Sequence, residues 1–325
     1  MTNGACAVAR MLVAVMLGFA CAGLNAQTFP AKPIRVIVPY GPGGGADISM
    51  RLLAQKLTVA MGQPILIENR PSAGGIVAAQ AAIASEPDGY TLVATGAAHA
   101  LSPAIMKAIP YDIARDLVPV AGIGDFDLGF FVARESPVKS LRDLVALAKS
   151  RPGGLNIGIG SLGTVQHVTA EMFRSATGVG LTIVPFKTVA QHLTALRGGE
   201  IDAVVEILTP MLSHVKDGSL RAIAVPSRTR FSGLPDVPTA AEAGLPGFVM
   251  TAWVIVQAPA KTPHEAINRL NKEFNTALRL PDVKKRFEDL GITPMVSSPQ
   301  EIEALQASEM VRFRSIVKAA GIEIR

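Results

Sequence analysis

The sequence predicts an α/β fold of two lobes, each a mainly parallel sheet flanked by helices, with two crossover segments as a hinge. The chain has 325 residues, a length that suits two domains better than one core. Strand-like apolar runs alternate with helix-like segments, as in parallel sheets covered on both faces. A glycine-rich turn occurs twice, at residues 41–46 and 158–163, each between a strand-like and a helix-like run. Backbone N–H groups at such turns bind anions, so the pair predicts two lobes that close on one small anion.

The N-terminus has the pattern of an export signal. Arg10 precedes an apolar stretch at residues 11–22, and the segment Leu24-Asn25-Ala26 supplies a cleavage site. The stretch is shorter than the roughly 20 apolar residues of a membrane span. Residues 1–26 are therefore predicted to be a cleaved signal peptide, with an uncleaved anchor or a lipid on Cys21 as the alternatives. Cys6 and Cys21 both precede the cut, so the mature chain is expected to lack thiols and thiol-based metal sites.

The composition argues against several classes of function. Hydrophobic residues make up 49% of the chain and charged residues 18%, as in a globular protein. The formal charge is +5, but the basic residues form no run and aromatic residues are only 5%. Both facts argue against nucleic-acid binding. The histidines lack the spacing of a zinc site, so we expect no metal and no cofactor; they are His99, His167, His192, His214 and His264.

The first lobe is predicted to comprise residues 27–124 and 250–325, and the second lobe residues 125–249. Extended segments at 118–131 and 249–257 cross between the lobes and form the predicted hinge. Ligand sites favour such clefts, at the carboxyl ends of parallel strands. The predicted strands lie at residues 34–38, 65–68, 90–94, 155–159, 183–186, 203–207 and 222–225. The predicted helices lie at residues 47–61, 76–85, 141–150, 165–177, 189–197, 263–278, 281–290 and 299–320.

The first turn also fits the dinucleotide-binding pattern Gly-x-Gly-x-x-Ala, beginning at Gly41, with Glu68 at the end of the next strand. Three facts argue against a dinucleotide site. Pro42 interrupts the tight turn, export removes the chain from nicotinamide pools, and the second turn would need a second cofactor. A Walker A loop is excluded because no Gly-Lys-Ser/Thr follows. Asp47 is interpreted either as the N-cap of the following helix or as an acid at the edge of the cleft.

Hydroxyl groups cluster at the second turn. A hydrolase would need a serine with a positioned base and an acid, and no Gly-x-Ser-x-Gly elbow surrounds Ser161. Ser161 and Thr164 are interpreted as hydroxyl donors to a carboxylate, and His167 as a structural hydrogen-bonding residue. Lys187, just past a strand, is either an anion partner or a solvated loop lysine. Glu206 ends a buried strand and has either a cleft role or a capping role.

Six segments resemble the periplasmic substrate-binding proteins of tripartite tricarboxylate transporters, the Bug-type receptors. The resemblance implies a two-lobe periplasmic-binding-protein (Venus flytrap) fold that binds a small carboxylate without catalysis. It also implies a periplasmic location and membrane transporter subunits as partners, and we expect a monomer. The segments are KPIRVIVP (32–39), ENRPSAGG (68–75), PDGYTL (87–92), LPDVPT (234–239), APAKTP (258–263) and VKAAGI (317–322).

The resemblance also implies a set of ligand-binding residues. In the first lobe these are Tyr40, Gly43, Gly44, Gly45, Ala46, Asp47, Thr95, Ala97 and His99, the last three in a predicted loop at residues 95–99. In the second lobe they are Ser161, Gly163, Thr164, Lys187, Thr188 and Glu206.

The chain departs from the family pattern toward less polar residues at Ala46, Leu162, Phe186 and Ile207. A site with fewer hydrogen-bonding partners leaves the extra oxygens of citrate unpaired. We therefore expect monocarboxylates or aromatic carboxylates to bind better than citrate. The alternatives are an exported α/β hydrolase-like enzyme that uses Ser161 or Asp47, and a sensory ligand-binder that reports to a signalling partner.

Overall fold

The structure is a computed structural model, and it describes residues 29–322. The predicted signal peptide, with Cys6 and Cys21, lies outside the described residues. Within the described range, no helix has both the length and the apolar character needed to cross a bilayer.

Strands and helices alternate along most of the described chain. The strands are β1 (Ile34–Val38), β2 (Ile65–Asn69), β3 (Thr91–Gly96), β4 (Leu117–Ala133), β5 (Leu155–Ile159), β6 (Leu181–Pro185), β7 (Ala203–Ile207), β8 (Leu220–Ala224), β9 (Thr251–Pro259) and β10 (Ile292–Pro294). The helices are α1 (Gly45–Met61), α2 (Ile76–Ile83), α3 (Ala97–Ile105), α4 (Ile113–Asp116), α5 (Leu141–Ser150), α6 (Val165–Thr177), α7 (Val189–Arg197), α8 (Leu208–Lys216), α9 (His264–Arg279), α10 (Pro281–Asp289) and α11 (Pro299–Ala319).

Two groups of parallel strands form the outer parts of the sheets. One group has the order β2-β1-β3, and the other has the order β7-β5-β6. The antiparallel pairs between the described strands all involve β4 or β9. Each sheet is therefore mixed rather than mainly parallel, because the strands that cross between the lobes run against the others.

The strand β4 belongs to both sheets. Its first part pairs with β9 from Leu117 to Asp127, and its last part pairs with β7 and β8 from Leu128 to Ala133. Phe126, which lies at this change of partner, is almost completely buried. A continuous strand thus carries the chain from one sheet to the other, as expected of a crossing segment. The predicted lobe boundary at residues 124 and 125 falls inside this strand and stays a prediction.

The helices cover the sheets with apolar faces. In α1, Met50, Leu53 and Leu57 recur at helical spacing and are fully buried. The C-terminal helices return to the first sheet: α9 packs on β4 and α1, and α11 packs on α3 and β4. Both ends of the described chain therefore contribute to the layer that supports the first glycine-rich turn.

The predicted elements differ from the structure at several places. The segment at residues 95–99, expected to be a loop, is the end of β3 and the first turn of α3. The helices α3, α4 and α8 and the short strand β10 were not predicted. The helix α8 is only nine residues long and its N-cap is Ile207, which makes no side-chain capping hydrogen bond, so the sequence carries no start signal for it. The helix α1 begins at Gly45 rather than at residue 47, and Gly44 is its N-cap.

We expect Gly96→Ala to destabilise the fold. Gly96 pairs with Val254 of β9, and a Cβ atom on Gly96 would overlap the carbonyl oxygen of Trp253. Because the obstacle is backbone, the free energy of unfolding should fall by roughly 1–3 kcal/mol in urea denaturation. Gly41→Ala is the matched control, since its Cβ would meet only the Lys187 carbonyl oxygen, at 3.6 Å. Equal losses in the two variants would contradict the close approach of β3 and β9.

Candidate functional site

A cavity of about 520 Å³ lies between the two lobes. The two glycine-rich turns form opposite parts of its wall. On one side of the cavity the two lobes approach each other closely, at Gly163 of the second lobe and Gly74 of the first. A Cβ atom added to Gly163 would lie only 3.4 Å from the backbone nitrogen of Gly74. Most of the predicted binding residues line this cavity; they are Tyr40, Gly44, Gly45, Ala46, Ala97, Ser161, Thr164, Lys187, Thr188 and Glu206.

The first turn presents backbone donors to the cavity. Its chain passes through Gly43 at a φ of 82°, a left-handed conformation that suits glycine, and enters α1 at Gly45. The N–H groups of Gly45 and Ala46 make no hydrogen bond to any described residue, as at any helix N-terminus without a side-chain cap. Both residues line the cavity. Together with the helix dipole, these groups favour an anion at this end.

Asp47 holds the first turn from behind. Its carboxylate accepts hydrogen bonds from Gly43 N at 3.0 Å, Arg51 Nε at 3.0 Å and Asn69 Nδ2 at 2.9 Å. Burial would raise the pKa of this carboxyl, but the hydrogen bonds outweigh it and hold the pKa below its usual value. Asp47 is neither the N-cap of α1 nor part of the cavity wall, which corrects both interpretations of this residue. Asn69, which the sequence argument did not single out, also donates to the Tyr40 carbonyl oxygen at 3.0 Å.

The second turn repeats this arrangement. Gly163 has a φ of 78°, and its N–H group donates to Nδ1 of His167 at 3.4 Å. Thr164 is the N-cap of α6 and accepts from the backbone nitrogen of His167 at 3.4 Å. The backbone N–H groups of Val165 and Gln166 make no hydrogen bond to any described residue, and both residues line the cavity. This second helix N-terminus therefore faces the same cavity as the first.

The two hydroxyl groups of the second turn differ in availability. Thr164 donates its hydroxyl hydrogen to the Ser161 carbonyl oxygen at 2.8 Å, so it is not free to donate to a carboxylate as predicted. The Ser161 hydroxyl has no partner among the described residues and lies at the cavity wall. His167 accepts from Gly163 and lies 3.8 Å from the Glu171 carboxylate. The histidine thus has the predicted structural role, and no Ser161–His167 hydrogen bond is present in the described structure.

Lys187 and Thr188 form the rim of the second lobe. Thr188 caps α7, and the backbone N–H groups of both residues donate to Oε1 of Gln191, at 3.0 and 3.2 Å. The Lys187 side chain is exposed. The backbone donors of this segment are therefore already used, and the lysine charge lies at the solvent edge of the cavity.

Thr95 and His99 lie behind the first-lobe wall, contrary to the predicted loop. The Thr95 hydroxyl donates to Oε1 of Gln257 at 2.6 Å within the sheet. His99 is buried against Gly75, and burial lowers its pKa to about 4. Of the segment at residues 95–99, Ala97 and Ala98 reach the cavity. Gly43 and Gly163 likewise lie outside the wall, where they shape the turns.

Glu206 is the acidic residue of the cavity wall. It lies in β7 directly before α8, and its side chain is only 4% exposed. Its Oε1 atom accepts from Gln166 Nε2 at 2.7 Å and from the backbone nitrogen of Ile207 at 2.8 Å. Burial raises the pKa of Glu206, and these two hydrogen bonds offset the shift only in part. The residue thus combines the cleft and capping positions that the sequence left as alternatives.

Apolar side chains complete the wall, and the sequence argument did not identify those that come from the crossing strands. Phe126 and Trp253 come from the crossing strands β4 and β9, and Phe186 and Ile207 come from the second lobe. The available signal for Trp253 was that the only tryptophan of the chain lies in a predicted crossing segment. Within residues 29–322, no group of acidic, histidine or cysteine side chains is arranged to hold a metal ion.

The comparisons with known proteins agree with this geometry. Residues 49–322 match the family model described as the tripartite tricarboxylate transporter family receptor. The chain is 35% identical to the protein BugT of Bordetella pertussis over 322 residues, which is 97% of this chain and 99% of BugT.

Two solved structures from Rhodopseudomonas palustris share the fold. The structure of Rpa4515 with adipate has a TM-score of 0.87 and 31% identity, and the match covers 91% of this chain and 99% of that one. The structure of MatC with bound malate has a TM-score of 0.84 and 30% identity, and the match covers 89% of this chain and 100% of that one. The predicted two-lobe fold is therefore confirmed.

We expect His192 to make the protein less stable as the pH falls. This residue of α7 is fully buried and stacks edge-on against Phe186, with ring centroids 6.1 Å apart. Its ring nitrogens have no hydrogen-bond partner among residues 29–322, and burial lowers its pKa to about 4. Between the ordinary pKa of about 6.5 and pH 4, the unfolded chain takes up a proton that the folded chain rejects. The free energy of unfolding should therefore fall with pH in this window, by at most about 1.4 kcal/mol per pH unit.

The measurement is urea denaturation of the wild type and His192→Phe at several pH values from 7 to 4.5. The stability difference between them should shift in favour of the variant as the pH falls. Phe173→Leu is the control, because it changes a buried side chain that packs against Phe130 and removes no titratable group, so its difference from the wild type should stay constant. A flat difference for His192→Phe would show that the buried ring is protonated in the folded state.

Proposed function

Because this chain belongs to the tripartite tricarboxylate transporter receptor family, we propose that it is a periplasmic receptor that captures a small organic carboxylate in the cleft between its lobes. In this proposal it delivers the ligand to membrane subunits of a tripartite transporter and acts as a monomer. The observation that carries the proposal is that the N-termini of α1 and α6, from different lobes, face one cavity with unpaired N–H groups.

The ligand carboxylate is proposed to lie between the two turns. The N–H groups of Gly45 and Ala46 donate from one side, and those of Val165 and Gln166 donate from the other, with the Ser161 hydroxyl as an added donor. Hydrogen bonds to a charged group contribute about 1.5–3 kcal/mol each. The ligands in the two R. palustris structures, adipate and malate, are small carboxylates, which supports this class of ligand.

A receptor without catalysis is favoured over a hydrolase by the side-chain geometry. A serine hydrolase needs its nucleophile hydrogen-bonded to a base, whereas His167 Nδ1 accepts from the Gly163 backbone. Asp47, the other candidate, is held by three hydrogen bonds behind the turn. The family is one of solute-binding receptors, and we extend that role to this chain.

The body of the ligand is proposed to be apolar. Phe126, Phe186 and Trp253 lie in the cavity wall, and Lys187 is the only basic side chain in that described lining. Citrate would bring oxygens into a site with few further donors, and unpaired buried polar groups are costly. Monocarboxylates and aromatic carboxylates are therefore expected to bind better than citrate.

The test is a thermal-shift and calorimetric panel of hexanoate, benzoate, 4-aminobutyrate, 6-aminohexanoate, succinate, adipate, malate and citrate with the mature chain. A true ligand at about 100 times its Kd adds about 2.7 kcal/mol to the stability of the bound state, so the melting temperature should rise by several degrees. Small-angle scattering with that ligand should show an unchanged or smaller radius of gyration, because closure over the cleft compacts the two lobes. A panel in which no acid binds, or in which citrate binds best, would count against the proposal.

We expect Gly44→Val to block the carboxylate end of the site. Gly44 has extended backbone angles that any residue adopts, and its Cβ would meet only the Gly41 carbonyl oxygen, at 3.5 Å, before it entered the cavity. A branched side chain there should weaken binding of the tightest-binding acid of the panel, raising its Kd by at least about tenfold. A loss of this size corresponds to the steric misfit of an overpacked protein interior. Gly44→Ala, with one methyl group, is the graded control, and both variants should keep the melting temperature of the free protein. Wild-type affinity in Gly44→Val would mean that the turn does not hold the ligand.

A further inference from the structure

One oxygen of the buried Glu206 carboxylate is unused. Oε1 accepts two hydrogen bonds, from Gln166 Nε2 and from the backbone of Ile207. Oε2 accepts none from the described residues, and it faces the wall at Gly160, where a Cβ atom would lie 3.4 Å from it. Glu206 and Gly160 both line the cavity. The free oxygen is therefore directed into the space that the ligand would fill.

No described cation compensates this carboxylate. Glu206 has no salt bridge within 4.0 Å to a lysine, arginine or histidine of the described chain. Lys187, the other charged residue in the wall, has an exposed side chain at the rim. The hydroxyl of Tyr40 lines the same cavity and has no hydrogen-bond partner among the described residues. Burial, together with the nearby Glu206 charge, raises the pKa of Tyr40 to about 12, so this group stays a neutral phenol.

Two features of the cavity wall therefore have opposite charge preferences. The N-termini of α1 and α6 favour negative charge, whereas a second carboxylate near Glu206 would place two like charges in a poorly solvated space. A buried carboxylate is costly when it is unpaired, and a hydrogen-bonded cation relieves that cost. Gln166 links the two features, because its backbone lies at the start of α6 and its side chain holds Glu206. Glu206 therefore lies within one side-chain length of the proposed carboxylate position, beside Gly160 of the second glycine-rich turn.

We propose that Glu206 Oε2 accepts a hydrogen bond from a cationic nitrogen of the ligand, and that the natural ligands are zwitterions: a carboxylate and an ammonium group joined by an apolar body. This inference rests on the proposed function, because it assumes that the carboxylate lies at the two helix N-termini. The apolar walls at Phe126, Phe186 and Trp253 surround the ligand body. Aromatic faces also attract an ammonium group. The single acidic residue in the described wall thus selects against a second carboxylate and favours a cationic group beside it.

The test is calorimetry with two matched series on the mature chain. The four-carbon series is 4-aminobutyrate, butyrate and succinate, and the six-carbon series is 6-aminohexanoate, hexanoate and adipate. Within each series only the far end changes, from ammonium to methyl to carboxylate. In the series whose length fits the cavity, the amino acid should bind at least tenfold more tightly than the other two members.

Glu206→Gln keeps the shape of the side chain and removes its charge. This variant should lose at least tenfold in affinity for the amino acid and should gain affinity for the dicarboxylate of the same length. Glu200→Gln is the matched control, since Glu200 is exposed and lies outside the cavity wall, and it should keep the wild-type ranking.

The outcomes separate this inference from the proposed function. A wild type that binds succinate or adipate more tightly than the matching amino acid would overturn the inference alone, as would a ranking that Glu206→Gln leaves unchanged. A wild type that binds no acid of either series, and none of the wider panel, would overturn both.

Discussion

The antiparallel pairing of β4 with β9 is the constraint on which the rest of this structure depends. These strands lie side by side from Leu117 to Asp127, between the parallel strands of the first sheet and the start of the second. Because β4 then continues into the second sheet, the relative position of the two glycine-rich turns is set by backbone hydrogen bonds rather than by a flexible linker. The same strands contribute Phe126 and Trp253 to the cavity wall. The same two strands therefore form both the predicted hinge and part of the cavity wall.

The two turns use one device to present their backbone donors. In each, the N–H group of a left-handed glycine donates to the side chain four residues later: Gly43 to Asp47, and Gly163 to His167. The hydrogen bond fixes the turn from behind, so the following N–H groups at the start of each helix are left for a ligand. The acid and the imidazole are chemically different, but each is an acceptor for one backbone donor. In the proposed function the ligand binds through main-chain atoms, and selectivity comes from the remaining wall, whose charged residues are Glu206 and Lys187.

Much of the fold followed from the alternation of apolar runs and helix-like segments, which predicted β7 and α6 with their observed bounds. The helix α8 was missed because it is short and begins after Ile207, which gives no capping signal in the sequence. At the site, the glycine patterns located both turns, because a backbone position with positive φ favours glycine and can therefore be inferred from the residue type. The direction in which a side chain points cannot be inferred in this way. Asp47 and Thr164 turned out to bond the turns themselves, and Phe126 and Trp253 reach the cavity only through long-range strand pairing.

The central position of β9 in the first sheet also bears on how the chain is assembled. The strand lies between β3 and β4, yet it follows the whole second group of strands along the chain. As the polypeptide emerges, β3 and β4 have no common neighbour until the residues after 250 are available, so the first sheet cannot close before the second has been synthesised. Non-local pairing of this kind slows folding. A fragment that stops before β9 would keep open strand edges, which are prone to aggregation. We therefore expect the two lobes to fold together rather than independently.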